Sequence, residues 1–330
     1  DYFTARCLTH KGFIIPSAKQ GHTLLLNTGA AGMAACSGIS CPGCHSADDR
    51  LREQFVVSDA FCMAGDFDHA NRGLCGLESA LCQASVAART EYWGIRSRVA
   101  GFCGDTEDAV AHARRAIACA DHGATSLSGQ SRNYLIRALM DGAAGGRGLE
   151  RLKEAETVLE QSRTIYAPRV SPARLREHMA HCRRLEARLA RLSRRPCEVP
   201  GDPGPCETTS RRQTPPRRVD IYLLMELLRN THNKHEDRAR VAENFVSFKN
   251  PRWNRANEFR LEDILLLASK AYAAYFMENS ADLAGFLEEL KQCLTMLARN
   301  GLTKWRERVF PVLETDQPDM EHLCEALRFL

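Results

Sequence analysis

Apolar side chains recur at intervals of three and four from Leu51 onward, the period of a helix with one buried face. From Leu51 to about Ser193 this spacing predicts helix after helix. β-favouring stretches are short, at Gly12–Pro16 and His22–Asn27, inside an irregular segment (residues 1–50) rich in cysteine and glycine. Residues 169–195 predict one long helix with a narrow apolar stripe of Leu175, Met179, Cys182, Leu185, Leu189 and Leu192. Pro172 suits its first turn. Nine arginines, with His178 and His181, are assigned to its polar faces. Six prolines and two glycines between Pro196 and Pro216 make residues 196–218 a linker. Past the linker, Ile221, Leu224, Met225 and Leu228 open a helical region, 219–330. It contains a helix over Glu236–Phe248, an antiparallel pair (Glu258–Met277 and Ala281–Arg299) and two short helices, Lys304–Phe310 and Asp319–Phe329. In the pair, Ser280 is expected as the amino cap and Asn300-Gly301 as the stop. The fold class is all-α, built as an array of helical hairpins.

Two segments repeat. Gln54–Leu77 and Trp93–Ala116 superimpose with a shift of 39 residues and no gap. Each is an amphipathic helix, a Gly-Asp turn (Gly65-Asp66, Gly104-Asp105) and a second helix with small residues four apart. A degenerate third copy carries Leu135, Ala138 and Leu139, then Ala155 and Leu159, around a longer turn at Gly142–Gly148. Small side chains facing one another, Ser58 with Ala70 and Ser97 with Ala109, let two antiparallel helices approach closely.

On these residues the stretch 51–166 resembles the tetratricopeptide repeat, whose pattern W-x2-L-G-x2-Y then A-x3-F runs over about 34 residues. Trp93 stands at the tryptophan position, Ser97 at the first small position and Ala109 at the second, while Arg96 replaces the leucine. The resemblance implies three helix pairs over 51–168 and a peptide-binding groove lined by Asp59, Cys62, Met63, Arg98, Phe102, Asn133 and Met140. The lysine and asparagine set with which family members clamp an acidic carboxy terminus is not reproduced.

Charge sharpens the picture. The net charge of +4 conceals a split, because residues 169–218 carry 13 arginines against five acids, which is +8. The regions on either side are slightly acidic. Arg176, Arg183, Arg184, Arg188, Arg191, Arg194, Arg195, Arg211, Arg212, Arg217 and Arg218 are the candidate basic patch. Three readings stand for it: a solvated helix and tether, a surface for an acidic protein partner, or a phosphate-binding surface on nucleic acid. Only Tyr166 lies nearby, so base stacking on interleaved aromatics is not provided for.

Fourteen cysteines are too few for a disulfide scaffold in a chain of 330 residues. Cys62, Cys75, Cys82, Cys103 and Cys119 fall at apolar positions of helical patterns and are expected as reduced core thiols. That usage points to an intracellular protein, cytoplasmic or nuclear. Cys41 and Cys44 have the two-residue gap with which paired thiolates chelate zinc. Cys36, His45, Cys7 and His10 can complete such a site, and a loop of unmetallated thiols is the other reading. Phosphate-cradling loops, a Gly-x-Ser-x-Gly elbow and a His-Glu-x-x-His helix are absent. The longest apolar run, Ile264–Met277, is interrupted by Lys270 and is too short to cross a bilayer, which needs about 20 residues. The expected function is therefore non-catalytic: a scaffold or regulatory subunit that binds a peptide or an acidic partner. A nucleic-acid-binding subunit and the regulatory portion of a larger enzyme are the alternatives.

Overall fold

The computed structural model describes parts of 14–62, then 66–197 except 124, 145–147 and 167–171, then 218–248, 261–299, 303–315 and 318–327. Apart from one small ribbon, the regular structure among the described residues is helical. The ribbon pairs β1 (Ile14–Pro16) antiparallel with β2 (Leu24–Leu26), Ile15 opposite Leu25. The helices form two compact units that part between Ser193 and Arg194.

The first unit contains helical residues between 51 and 62, then α1 (Phe67–Cys75), α2 (Val86–Cys103), α3 (Thr106–Gly123), α4 (Ser128–Asp141), α5 (Gly148–Tyr166) and α6 (Pro172–Leu192). Helices adjacent in sequence pack as neighbours, α2 on α3, α3 on α4 and α4 on α5. Their ends are written locally. Asp66 caps α1 by accepting from the His69 amide at 3.3 Å, and Ser85 caps α2 by accepting from the Ala88 amide at 3.2 Å. Helix α2 stops at Gly104, whose φ of +89° is left-handed, so the Gly-Asp turn needs its glycine there. At the expected close crossing, the Ser97 hydroxyl donates to the Ala109 carbonyl at 2.7 Å. Such an approach is open only to small side chains, and Ala109, Ala113 and Ala116 are fully buried along that face of α3. At the earlier crossing Ser58 and Ala70 are both buried, and the Ser58 hydroxyl lies close to Gly73.

Helix α6 belongs to this unit. It packs on α4 and α5, and Cys182, Leu185 and Leu189 join one core with Leu135, Leu139, Leu159 and Ala113. The boundary thus falls after the basic helix rather than before it.

The second unit comprises α7 (Arg218–Arg229), α8 (His235–Ser247), α9 (Leu261–Phe276), α10 (Ser280–Arg299), α11 (Thr303–Leu313) and α12 (Met320–Leu327). Every residue from Ile264 to Ala274 is buried, because α7, α8, α10 and α12 all pack on α9. Within that apolar helix the buried Lys270 ammonium donates to the Phe248 carbonyl and lies 5.2 Å from the centre of the Phe286 ring. Arg229, also buried, is shared by Glu325 at 2.6 Å and Glu321 at 2.8 Å, and Glu321 also accepts from the Tyr272 hydroxyl. Two buried asparagines organise the α7–α8 turn. Asn230 donates to the Arg195 carbonyl at 2.9 Å, and Asn233 donates to the Leu227 carbonyl while accepting from the Cys197 amide.

The amino cap of α10 is a correction. Ser280 is the first helical residue, and Asn279 is the cap, its side-chain oxygen accepting from the Asp282 amide at 3.2 Å. Two good capping residues stand side by side, and the one with a carbonyl reaching the third helical residue prevails. The expected stop at Asn300-Gly301 lies outside the described residues.

Candidate partner-binding surface

The groove positions do not form one exposed lining. Asp59 and Met63 lie outside the described residues. Cys62 and Met140 are buried, at 4% and 2% exposure, and Met140 sits in the core that α6 completes. That helix, which the repeat pattern does not include, takes up part of the face where a peptide was expected. Phe102 is half-buried with its ring 4.9 Å from Phe67, and the Arg98 guanidinium is 6.0 Å from the Phe102 ring. Asn133 is half-buried and accepts from the Ser162 hydroxyl at 3.2 Å. What remains together on one helix is Arg98 and Phe102.

The arginines of α6 separate into two groups. Arg188 is bound into the fold, its guanidinium 2.6 Å from Asp141 of α4 with both side chains more than four-fifths buried. A second tie runs the other way, from Arg163 of α5 to Glu186 of α6 at 2.5 Å. Arg176 and Arg183 are exposed, and Arg184 and Arg191 are half-buried. They are seven residues apart, so Arg176 and Arg183 share one line along the helix about 10 Å in length. Arg194 and Arg195 are exposed just past the helix end. Arg211, Arg212 and Arg217, and the side chain of Arg218, lie outside the described residues.

His178 corrects an expectation. Assigned to a solvated face, it is only 6% exposed. Its Nε2 donates to the Ser162 carbonyl at 3.1 Å and lies 3.4 Å from the Cys182 sulfur. Burial holds its pKa below the usual imidazole value. The spacing had carried this information, since His178 stands three residues after Leu175 and four before Cys182, within the apolar stripe.

Sequence reasoning also missed a cluster on α2 and α3. The half-buried Trp93 ring stacks on His112 at 5.3 Å, and the Arg115 guanidinium lies 4.7 Å from its centre. Arg96, where the repeat pattern has leucine, donates to Asn71 at 3.0 Å and reaches the Cys75 sulfur at 2.7 Å. Burial first, then Arg96, keeps the His112 pKa low.

Among the cysteines, Cys62 is buried and its thiol is pushed up to about 12 by burial. Cys75 and Cys82 are exposed, against expectation. Cys75 is the last residue of α1, and Cys82 lies in a short 3-10 turn whose buried side chain is the neighbouring Leu81. Cys103 and Cys119 are half-buried. The zinc candidates Cys7, His10, Cys36, Cys41, Cys44 and His45 lie outside the described residues. Among the described residues no group of three or more histidine, cysteine or acidic side chains is placed to hold a metal ion, and no helix is long and apolar enough to cross a membrane.

Compared with family models, with curated proteins and with solved structures, the chain matches none.

Proposed function

We propose that this protein is a non-catalytic scaffold or regulatory subunit of the cell interior, whose tetratricopeptide-like helix pairs present α6 to an acidic protein partner. The observation that carries the reading is the division among the α6 arginines. Arg188 is consumed by Asp141, while Arg176 and Arg183 stand exposed on one line of the same helix. Exposed guanidinium groups at fixed spacing on a helix held by its apolar stripe can pair with carboxylates of a partner without rearrangement of the backbone beneath them. Arg98 beside Phe102 on α2 offers a second contact of the same chemistry.

The test is fluorescence anisotropy with an Asp/Glu-rich peptide and, in parallel, a single-stranded RNA. Replacing Arg176 and Arg183 together by Glu is expected to weaken peptide binding by about tenfold or more, with thermal unfolding nearly unchanged. No peptide binding by the unaltered protein sinks the proposal. RNA binding that falls steeply with salt, without peptide binding, puts the nucleic-acid reading in its place.

A further inference from the structure

One polar chain crosses the apolar interface between α6 and the helices beneath it. His178 of α6 donates from Nε2 to the Ser162 carbonyl of α5 at 3.1 Å, with the Ser162 hydroxyl 3.3 Å away. That hydroxyl donates on to Asn133 of α4 at 3.2 Å. Ser162 is fully buried and so is Cys182, which touches the same imidazole nitrogen. With its one proton on Nε2, the ring is neutral and serves the site as a donor. A second proton would set a full charge where water does not reach.

We propose that docking of α6 onto α4 and α5 is released by acid, with His178 as the sensing group. The charged groups along this part of α6 act on the neighbouring His181, namely Arg184 and Glu177 of α6 and Arg137 of α4, while Arg163 of α5 is engaged with Glu186. His181 is half-buried, and burial, then Arg184, lowers its pKa too. The sign follows from linkage. A docked ring with a lowered pKa contributes its full stability above the ordinary value of 6.5, and loses it as pH falls below that value towards the docked one. This inference concerns docking alone and stands whether or not the acidic partner is right.

Hydrogen exchange followed by mass spectrometry, corrected for intrinsic rates, reads it directly. Between about pH 7.5 and about pH 5.5, α6 peptides are expected to lose up to about tenfold in protection, the ceiling that one pH unit below the ordinary imidazole value sets. Peptides of α9, which has no histidine, are expected to hold steady. His178→Gln keeps an N–H for Ser162 but takes no proton, so its α6 protection loses most of its dependence on pH. His181→Gln keeps most of the response. Equal α6 protection at both pH values in the unaltered protein overturns the proposal. So does a response that His181→Gln abolishes. If His178→Gln already exposes α6 at neutral pH, the His181→Gln protein decides: a retained response supports the proposal, a lost one overturns it.

Discussion

The α2–α3 pair and the surroundings of α9 solve the same packing problem in opposite ways. Between α2 and α3 the buried side chains are small, Ser97 and Ala100 against Ala109, Ala113 and Ala116, and a hydroxyl touches the facing backbone. Around α9 they are large: Ile264, Leu266 and Leu267 on the helix itself, and Phe245, Leu290 and Leu323 on its neighbours. Small residues gain stability from close approach of two axes, large ones from apolar area removed from water. Buried polar groups do not divide in this way: the first unit buries Ser97, Ser162 and His178 together with Arg132, paired with Asp121, and the second buries Asn230 and Ser269 together with Arg229 and Lys270. The first region should therefore suffer from enlargement, the second from truncation.

The largest effect is expected where area is lost. Phe245→Ala in the second unit should cost about 3–5 kcal/mol in urea unfolding, since the ring is fully buried. A cost below about 1 kcal/mol would mean that the region collapses around the gap. Next comes Arg188→Glu, expected to cost about 3 kcal/mol because it leaves Asp141 with a like charge in a mostly buried site. Arg183→Glu, on the exposed side of the same helix, should stay within about 0.5 kcal/mol. Equal effects at the two positions would erase the division among the α6 arginines.

Ala109→Leu should overpack the α2–α3 crossing by about 1–3 kcal/mol, pushing the Ala109 carbonyl away from the Ser97 hydroxyl. Thermal unfolding measures it, and a neutral result would show that the crossing has slack. Glu278→Gly is expected to act in the opposite direction. Glu278 ends α9 with φ of +57°, and the Asn279 amide bonds back to the Ala274 carbonyl at 2.9 Å. Glycine adopts that backbone without steric cost, so stability should rise by about 0.5–1 kcal/mol. A loss would show that the Glu278 side chain holds a contact worth more than the strain.

Much of the fold was legible because it is local. Helix periodicity, the Gly-Asp turn at Gly104 and the small residues at 97 and 109 depend on neighbours within a turn or two, and the structure has them where the spacing put them. Cap choice was nearly legible, failing at Asn279 because Ser280 beside it carries the same preference. The candidate surface was harder. Whether Met140 faces a groove or a core depends on whether another helix arrives to cover it, and α6 begins only at Pro172, well over a helix length further along the chain.

From the sequence alone, then, came the helices, their order, the tight crossings and the concentration of arginine, since each follows from residue type and spacing. Which arginine pairs with Asp141, which histidine is buried against Ser162, and which cysteines reach solvent were decided by tertiary structure. An amphipathic helix specifies that one face is buried. It does not specify what is brought against that face, and the pairing, burial and protonation of a side chain are set by that partner.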